Sequence, residues 1–231
     1  MNTGVSRENV AESVYITGTK NLSNDFLQKK AIYLFIKRFF DIVLSFTGLV
    51  LLSPIFLIIA IAIKLESKGP VFFKHTRIGK GGKIIKIYKF RSMVENAEEL
   101  IKNFTPKQMK EYKENYKLTN DPRITKVGKI LRKTSLDELP QLINILKGEL
   151  SIIGPRPVVK DELEKYGKNI PKFLSVTPGL TGYWAANGRS CTSYDDRMKM
   201  ELYYIDNLSF KMDLKVFLKT IIVVIKREGA I

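Results

Sequence analysis

The stretch Ile42 to Ile63 reads IVLSFTGLVLLSPIFLIIAIAI and contains no charged residue. As a straight helix it would span roughly 33 Å, about the thickness of one hydrocarbon core. Apolar side chains would lie on every side of this helix, unlike the single apolar face of a core helix in a soluble domain. The run starts far into the chain and lacks a small-residue cleavage site, which argues against a secretory signal peptide. It therefore predicts a membrane-associated helix.

Ser53 and Pro54 interrupt the centre of this run. Proline has no amide hydrogen and crowds the carbonyl four residues earlier, here that of Val50, so we expect a bend. In lipid the freed carbonyl needs a new partner, and the Ser53 hydroxyl is a candidate.

Basic residues flank both ends of the apolar run. Lys37 and Arg38 precede it, and Lys64, Lys68 and Lys74 follow it. Basic flanks favour the cytoplasmic side of a membrane. A re-entrant hairpin would place both flanks on that side, whereas a straight span would leave one flank on the other. The residues alone leave both arrangements open.

The composition points to anionic partners. The chain has 231 residues, the length of one domain with appendages, and a formal net charge of +16. This excess favours nucleic acid, anionic lipid or phosphorylated substrates. Cys191 is the only cysteine, so no internal disulfide can form, and His75 is the only histidine. A Ser-His-Asp triad or a His-rich zinc site is therefore disfavoured.

The rest of the chain predicts a mainly helical body with one small hairpin. Short strands are expected at 71–73 and 84–88, with the glycine cluster at 79–82 as a hairpin turn and not a Walker loop. Helices are expected within 94–115, 124–150 with an interruption at Pro140, 158–166, 195–204 and 213–226. The last helix carries an apolar stripe that predicts core or membrane-surface packing: Leu214, Phe217, Leu218, Ile221, Ile222 and Ile225.

The acidic pair Asp137 and Glu138 is the strongest candidate for chemistry. Ser135 and Glu138 fit a capping box at a helix start, although the helix could instead begin at Pro140. In both cases the two carboxylates lie at or near a helix N-terminus, close to Arg132. Carboxylates beside cations stay ionised at neutral pH. They can then bind a hard cation such as Mg²⁺ or act as a nucleophile.

Three other clusters carry cations or loop residues. The segment 89–93 (KFRSM) is either a strand end with solvated cations or a phosphate site. The segment 154–157 (GPRP) holds Arg156 between two prolines, as a rigid turn or as a fixed phosphate ligand. The segment 177–189, with the only tryptophan, is either a packed loop or an aromatic surface. Together, the clusters suit a diphosphate donor and a lipid phosphate acceptor.

These motifs in combination resemble the monotopic phosphoglycosyl transferases, the bacterial sugar transferase family, from about Tyr33 to the C-terminus. The matching segments are KRFFD at 37–41, SP at 53–54, YKFRSM at 88–93, TNDPR at 119–123, SLDELPQL at 135–142, GPRP at 154–157, PGLTG at 178–182 and NGR at 187–189.

The resemblance implies an α+β fold that is mainly helical, with a small β-hairpin and a kinked re-entrant membrane helix broken at Ser53 and Pro54. It divides the chain into a polar N-terminal extension (1–30), the re-entrant helix (31–68) and a cytoplasmic catalytic domain (69–231). It places the protein at the inner, cytoplasmic membrane of a bacterium. The chain is also expected to be the minimal catalytic unit, without the extra spanning helices of larger relatives.

The resemblance also implies a two-step reaction. Asp137 would attack the sugar-bearing phosphate of a UDP-sugar and release UMP, and undecaprenyl phosphate would then accept the phospho-sugar. Asp137 and Glu138 would be the catalytic residues and would hold Mg²⁺. The expected substrate- or phosphate-binding residues are Lys89, Arg91, Arg132, Arg156 and Arg189. Anionic membrane lipid and downstream glycosyltransferases are expected partners, and nucleic acid is not.

The chain departs from the family pattern at two positions. Ala185 and His75 each stand where the family often has glutamine. Neither change touches the acidic pair, but both leave the identity of the sugar open.

Two other functions remain open on the sequence. A basic membrane-anchored adaptor would explain the charge and the apolar helix, but not the adjacent carboxylates within a basic segment. A membrane-bound hydrolase of lipid diphosphates would use similar cations and magnesium, but should act without a nucleotide-sugar.

Overall fold

A computed structural model describes residues 30–115, 118, 121–188 and 192–226. Nearly all of the predicted polar extension (1–30) lies outside these residues. The α-helices are α1 (Ala31–Glu66), α2 (Pro106–Asn115), α3 (Lys126–Thr134), α4 (Gln141–Lys147), α5 (Lys160–Glu164), α6 (Ile170–Leu174), α7 (Tyr183–Asn187), α8 (Tyr194–Asp206) and α9 (Phe210–Lys226). The strands are β1 (Phe72–Ile78), β2 (Ile84–Phe90), β3 (Ser151–Ile153) and β4 (Gly179–Thr181). A mainly helical protein with a small antiparallel sheet and one long apolar helix is therefore confirmed.

Helix α1 is long and apolar enough to cross a membrane, judged by length and composition. It continues through Ser53 and Pro54 as one element. The Ser53 hydroxyl donates to the Val50 carbonyl at 2.8 Å, as expected for the group that proline leaves without its amide partner. The re-entrant break remains a prediction.

The N-terminal part of α1 is fixed to the body by charged and polar side chains. Lys37 pairs with Asp213 on α9 at 2.6 Å. Arg38 donates to the last carbonyls of α4, those of Ile145 and Leu146. Ile145 also accepts from the Gly148 N–H at 2.9 Å, and a guanidinium is favourable at this end because the last carbonyls of a helix carry partial negative charge. The basic residues before the apolar run therefore serve as anchors as well as flanks.

The C-terminal part of α1 contacts the same body. The Glu66 carboxylate accepts from the first amides of α3, Lys126 N–H at 2.6 Å and Val127 N–H at 3.0 Å. Ile59 and Ile63 pack with Phe90 and Leu131 in a buried apolar cluster. Both ends of α1 are thus attached to one body, while most of the apolar side chains between them are exposed.

Strands β1 and β2 form the predicted antiparallel hairpin. Gly81 and Gly82 turn the chain with φ of 66° and 80°, a region where glycine has no steric penalty. His75 pairs with Ile87 and Arg77 with Ile85. Paired residues share a face of a sheet, so the His75 and Arg77 side chains lie on the same face of the hairpin as Ile87 and Ile85.

Strands β3 and β4 form a short parallel pair that the sequence patterns did not predict. The pair brings the 154–157 turn against the loop before β4. A Cβ on Gly179 would lie 2.1 Å from the Gly154 nitrogen, so this backbone approach requires glycine. The segment 177–189, expected as a loop, contains β4 and helix α7.

Helix α9 presents its predicted apolar stripe outward. Its buried positions are Asp213, Val216 and Val223. All six stripe residues are exposed: Leu214, Phe217, Leu218, Ile221, Ile222 and Ile225. The core interpretation of this stripe is therefore wrong, because the side that packs on the body is the one carrying Val216 and Val223.

Candidate active site

The acidic pair lies in a tight turn between two helices. Helix α3 ends at Thr134, and Ser135 adopts a left-handed conformation with φ 58°. One turn of 3₁₀ helix, Leu136–Glu138, follows. The predicted capping box is wrong, because Ser135 makes no side-chain cap and instead terminates α3. The alternative start near Pro140 is correct to within one residue, since α4 begins at Gln141.

Glu138 points toward the end of the hairpin. Its Oε1 lies 2.7 Å from the Lys89 Nζ on β2. The two side chains are partly exposed, at 30% and 25% respectively. This ion pair is therefore accessible from solvent, and a phosphate group could replace the carboxylate as the partner of Lys89.

Asp137 is the more buried of the two carboxylates, with 8% of its surface exposed. Burial raises the pKa of Asp137 to about 6, and the Glu138 charge adds to this, while Lys89 and Arg132 oppose it. A pKa near 6 leaves about nine-tenths of the carboxyl ionised at pH 7. Asp137 is thus a buried carboxylate that is mainly ionised at pH 7.

Arg132 lies on the Asp137 side of the turn. Its Nε donates to the Ser92 hydroxyl at 2.9 Å, directly after β2. Burial lowers the pKa of Arg132, whereas Asp137 and Asp121 raise it. An arginine remains charged at neutral pH in this setting.

A shallow cleft opens beside Glu138. Its polar lining consists of His75 and Arg77 from β1, Lys89 from β2, Glu138, Gln141 from α4 and Arg156. Arg156 follows β3, and Arg77 and His75 lie on the facing strand of the hairpin. The cleft therefore collects three cationic side chains next to one member of the acidic pair.

Arg156 is held through its backbone and its aromatic neighbour. The Glu201 Oε1 accepts the Arg156 N–H at 3.1 Å from α8. The guanidinium lies 5.8 Å from the centre of the Trp184 ring, and Arg197 lies 4.8 Å from it. Within the described part of the chain, the Arg156 guanidinium donates no hydrogen bond.

Arg77 and Arg197 share one carboxylate. Glu162 on α5 accepts from Arg77 through Oε2 and from Arg197 through Oε1, both at 3.2 Å. Burial alone would raise the pKa of Glu162, but Arg197 and Arg77 hold it below its ordinary value. Glu162 is therefore ionised and positions both arginines.

His75 is neutral at physiological pH. Burial lowers its pKa to about 4, and the charges of Arg77, Lys89 and Arg156 act in the same direction. Its Nδ1 lies 3.3 Å from Arg77 Nη2. Since the guanidinium can only donate, Nδ1 accepts and the imidazole proton lies on Nε2.

Of the predicted phosphate-binding residues that the structure describes, Lys89 and Arg156 line this cleft, whereas Arg91 and Arg132 do not. The Arg91 guanidinium donates to the Ser67 and Lys68 carbonyls and to the Ser67 hydroxyl, where it secures the chain after α1. Arg189 lies outside the described residues. Lys89 and Arg132 lie near Asp137, and Lys89 and Arg156 line the cleft with Glu138.

A divalent cation would find two carboxylates here. Among the described residues, no group of three or more metal-ligating side chains is present. Mg²⁺ is commonly held by one or two carboxylates together with substrate phosphates and water. The adjacent carboxylates Asp137 and Glu138 could supply ligands of this kind.

Sequence reasoning missed Arg77, Gln141, Glu162, Arg197 and Glu201. Arg77 and His75 lie two positions apart on β1 and so share one face, but the predicted strand ended at residue 73 and left both outside it. Glu162 lies on α5, whereas Arg197 and Glu201 lie on α8, and no local pattern connects these two helices with each other or with the hairpin.

The chain is similar to known proteins over most of its length. Residues 32–227 match the family model described as bacterial sugar transferase. An undecaprenyl-phosphate galactose phosphotransferase of Salmonella typhimurium is 44% identical over 199 residues, covering 85% of this chain and 42% of the relative. The exopolysaccharide production protein ExoY of Rhizobium meliloti is 45% identical over 197 residues, covering 84% of this chain and 87% of the relative.

A third relative is the UDP-N-acetylgalactosamine-undecaprenyl-phosphate N-acetylgalactosaminephosphotransferase of Aeromonas hydrophila. It is 40% identical over 206 residues, covering 86% of this chain and 46% of the relative. The chain thus spans less than half the length of the Salmonella and Aeromonas proteins and most of the length of ExoY. The match over 32–227 includes the hairpin, the acidic turn and the cationic cleft, and the chain belongs to the bacterial sugar transferase family.

Proposed function

We propose that this chain transfers a sugar phosphate from a UDP-sugar to undecaprenyl phosphate and releases UMP. The reaction would be the first membrane step in assembling a surface polysaccharide or glycoconjugate. One observation carries the proposal: a buried carboxylate, Asp137, lies beside the cations Lys89 and Arg132, next to a cleft that Arg156 lines, in a body attached to a long apolar helix. The names of the relatives support both the lipid carrier and the sugar phosphate.

The first step is an attack by the Asp137 carboxylate on the phosphorus that bears the sugar. A new P–O bond forms to Asp137, the P–O bond to UMP breaks, and its electron pair leaves with UMP. In the second step an oxygen of undecaprenyl phosphate attacks the same phosphorus. Asp137 then departs as a carboxylate, and the lipid carries the sugar diphosphate linkage. A covalent intermediate divides one difficult transfer into two easier ones.

The cations offset the electrostatic repulsion between the attacking carboxylate and the phosphate it attacks, both of which are anions. Lys89 and Arg132 both attract the Asp137 charge, and Lys89 also pairs with Glu138. When a diphosphate binds, its oxygens can replace Glu138 as the ion-pair partner of Lys89. Glu138 can then contact a metal or the acceptor. Arg156 offers a planar guanidinium that suits a phosphate group.

Mg²⁺ belongs to the proposal as the ion that Asp137 and Glu138 would hold together with the donor phosphates. When bound, it would offset charge on the phosphoryl oxygens as a Lewis acid. The protein itself supplies the two carboxylates and the surrounding cations, and its described residues offer no closed metal cage.

The membrane arrangement proposed here is re-entrant, with the catalytic body on the cytoplasmic face. Its support is that both flanks of the apolar run contact one body, through Lys37 and Arg38 at one end and Glu66 at the other. A straight span would separate those flanks by a hydrocarbon core of roughly 30 Å. The net charge of +16 favours anionic lipid at that face, where downstream glycosyltransferases would extend the product.

The test is UMP release by the full chain across a panel of UDP-sugars, with undecaprenyl phosphate and Mg²⁺. We expect UMP with at least one donor and a lipid-linked product of matching mass. A membrane adaptor would release no UMP with any donor. A hydrolase of lipid diphosphates would release phosphate from the lipid without any nucleotide-sugar.

A further inference from the structure

The cleft beside Glu138 contains a cationic group, Arg77, that the transfer at Asp137 does not account for, and it lies there with Arg156. Arg77 reaches it from β1 and Arg156 from the turn after β3, and neither was needed to activate Asp137. Arg77 donates to neutral His75 and to Glu162, a carboxylate that it shares with Arg197. The charge of this group of side chains decides what can bind between them.

The arginines outnumber the carboxylates that balance them. Glu162 serves two guanidinium groups, and burial raises the pKa of Glu201 to about 7, so its neutralising charge is only partial at physiological pH. Arg156 adds a third guanidinium, stacked near Trp184 and without a hydrogen-bond acceptor among the described residues. The cleft is therefore positive, and an anion is the ligand that would restore its balance.

We propose that Arg77 and Arg156, with His75 Nε2–H, form a second anion subsite that binds the phosphate of the nucleoside monophosphate leaving the donor. Lys89 lines the same cleft and also pairs with Glu138, next to Asp137, so the subsite adjoins the position of the transferred phosphate. Two adjacent subsites match the two phosphates of a nucleoside diphosphate donor. This assignment rests on the proposed function.

Phosphate in this cleft could come from two sources, the nucleotide or the lipid acceptor. Binding of UMP to the full chain, measured by equilibrium dialysis with radiolabelled UMP, reports on the first source without catalysis. The KM for undecaprenyl phosphate reports on the second. We expect Arg77→Gln to weaken UMP binding about 10- to 100-fold, as for the loss of charged hydrogen bonds, and to leave that KM unchanged.

Lys86→Gln is the matched control. It removes one positive charge from the same hairpin, but Lys86 is exposed, pairs with Thr76 and lies outside the cleft. UMP affinity should then change by no more than about twofold, as expected for an exposed charge. An equal loss in both variants would show that only the general charge of the hairpin matters, and would overturn the subsite.

Glu162→Gln separates ligand binding from a purely structural ion pair. If the Arg77–Glu162 ion pair were only structural, removing either partner would break it, and Arg77→Gln and Glu162→Gln would weaken UMP binding equally. The subsite predicts different effects of the two substitutions. Arg77→Gln should weaken UMP binding, whereas Glu162→Gln should leave it unchanged or make it tighter, because both arginines keep their charge. Equal losses would refute the proposal.

If Arg77→Gln does not fold, Arg77→Lys is the variant that tests the subsite. Lysine keeps the positive charge beside Glu162 but lacks the planar guanidinium. UMP affinity should fall several-fold, between the parent and the expected value for Arg77→Gln. A raised KM for undecaprenyl phosphate with normal UMP binding would assign the cleft to the lipid and overturn the proposal. Failure of the transfer reaction itself appears separately, as no UMP release by the parent chain.

Discussion

Glu201→Gln should stabilise the protein at alkaline pH. Glu201 has 1% of its surface exposed and its Oε1 accepts the Arg156 N–H, while its Oε2 has no hydrogen-bond partner among the residues that the structure describes. Burial raises the pKa of Glu201 to about 7 from an ordinary value of 4.5, although Arg156 and Arg197 oppose the rise. The folded protein therefore holds a proton that the unfolded chain has already released between these two values.

The sign and size follow from proton linkage. Stability falls as pH rises wherever the folded state binds more protons, so ionisation of Glu201 costs about 3 kcal/mol between pH 4.5 and pH 7. Glutamine is neutral at every pH and keeps an oxygen for the Arg156 N–H. The advantage of Glu201→Gln over the parent should be small near pH 4.5 and reach its full value above pH 7.

Thermal unfolding of the full chain in one detergent, from pH 5 to pH 8.5, measures this difference. A gain of 3 kcal/mol corresponds to roughly 6–12 °C in Tm for a domain of this size. UMP release at pH 7 should be retained, since the contact to the Arg156 backbone survives. A Tm difference that stays constant with pH, or that shrinks toward pH 8, would refute the reasoning.

Three further predictions concern the reaction and the membrane. Asp137→Asn should lower UMP release at least about a thousandfold and abolish the phospho-sugar adduct, whereas Glu138→Gln should slow turnover but still permit the adduct. Intact-protein mass spectrometry detects the adduct, and an adduct mapped to another residue would contradict the assignment of Asp137. Both chain termini should lie on the cytoplasmic side, and Pro54→Ala should straighten the helix and lower UMP release. Cysteines placed at the two ends, in a chain without Cys191, would show opposite accessibility in intact cells if the helix spans. Ala185→Gln should change the ratio of UMP release among UDP-sugars by several-fold, and an unchanged ratio would place donor selection elsewhere.

Features set by neighbouring residues were predicted well from the sequence. The hairpin followed from two apolar segments around a glycine cluster, and Gly81 and Gly82 do adopt positive φ. The hydrogen bond from Ser53 to Val50 followed from the chemistry of proline, which is local by nature. The turn at Asp137 was harder, because two local preferences competed and the left-handed Ser135 resolved them by ending the preceding helix.

Features set by distant parts of the chain were not predicted. Asp41 accepts from the Ile152 N–H at 2.9 Å across 111 positions, and the sequence displays it only as a charge before an apolar run. The parallel pairing of β3 with β4 depends on the close approach of Gly154 and Gly179. Each contact gains its meaning from a partner that no periodicity identifies, so hydropathy patterns could not reveal it.

The hairpin register explains how a local element acquires a distant function. Side chains alternate between the faces of a strand, so Ile85, Ile87 and Lys89 share one face of β2. Ile85 and Ile87 are buried against Ile145 and Leu150, which fixes that face toward the body.

Lys89 continues the same face beyond those two apolar residues and therefore meets the acidic turn. Arg77 and His75 on β1 pair with Ile85 and Ile87 and therefore lie along the same face. Burial of two isoleucines thus determines where three basic side chains of the hairpin point. A one-residue slip of β1 would turn Arg77 and His75 away from Glu138 and leave Lys89 and Arg156 as the cations of the cleft.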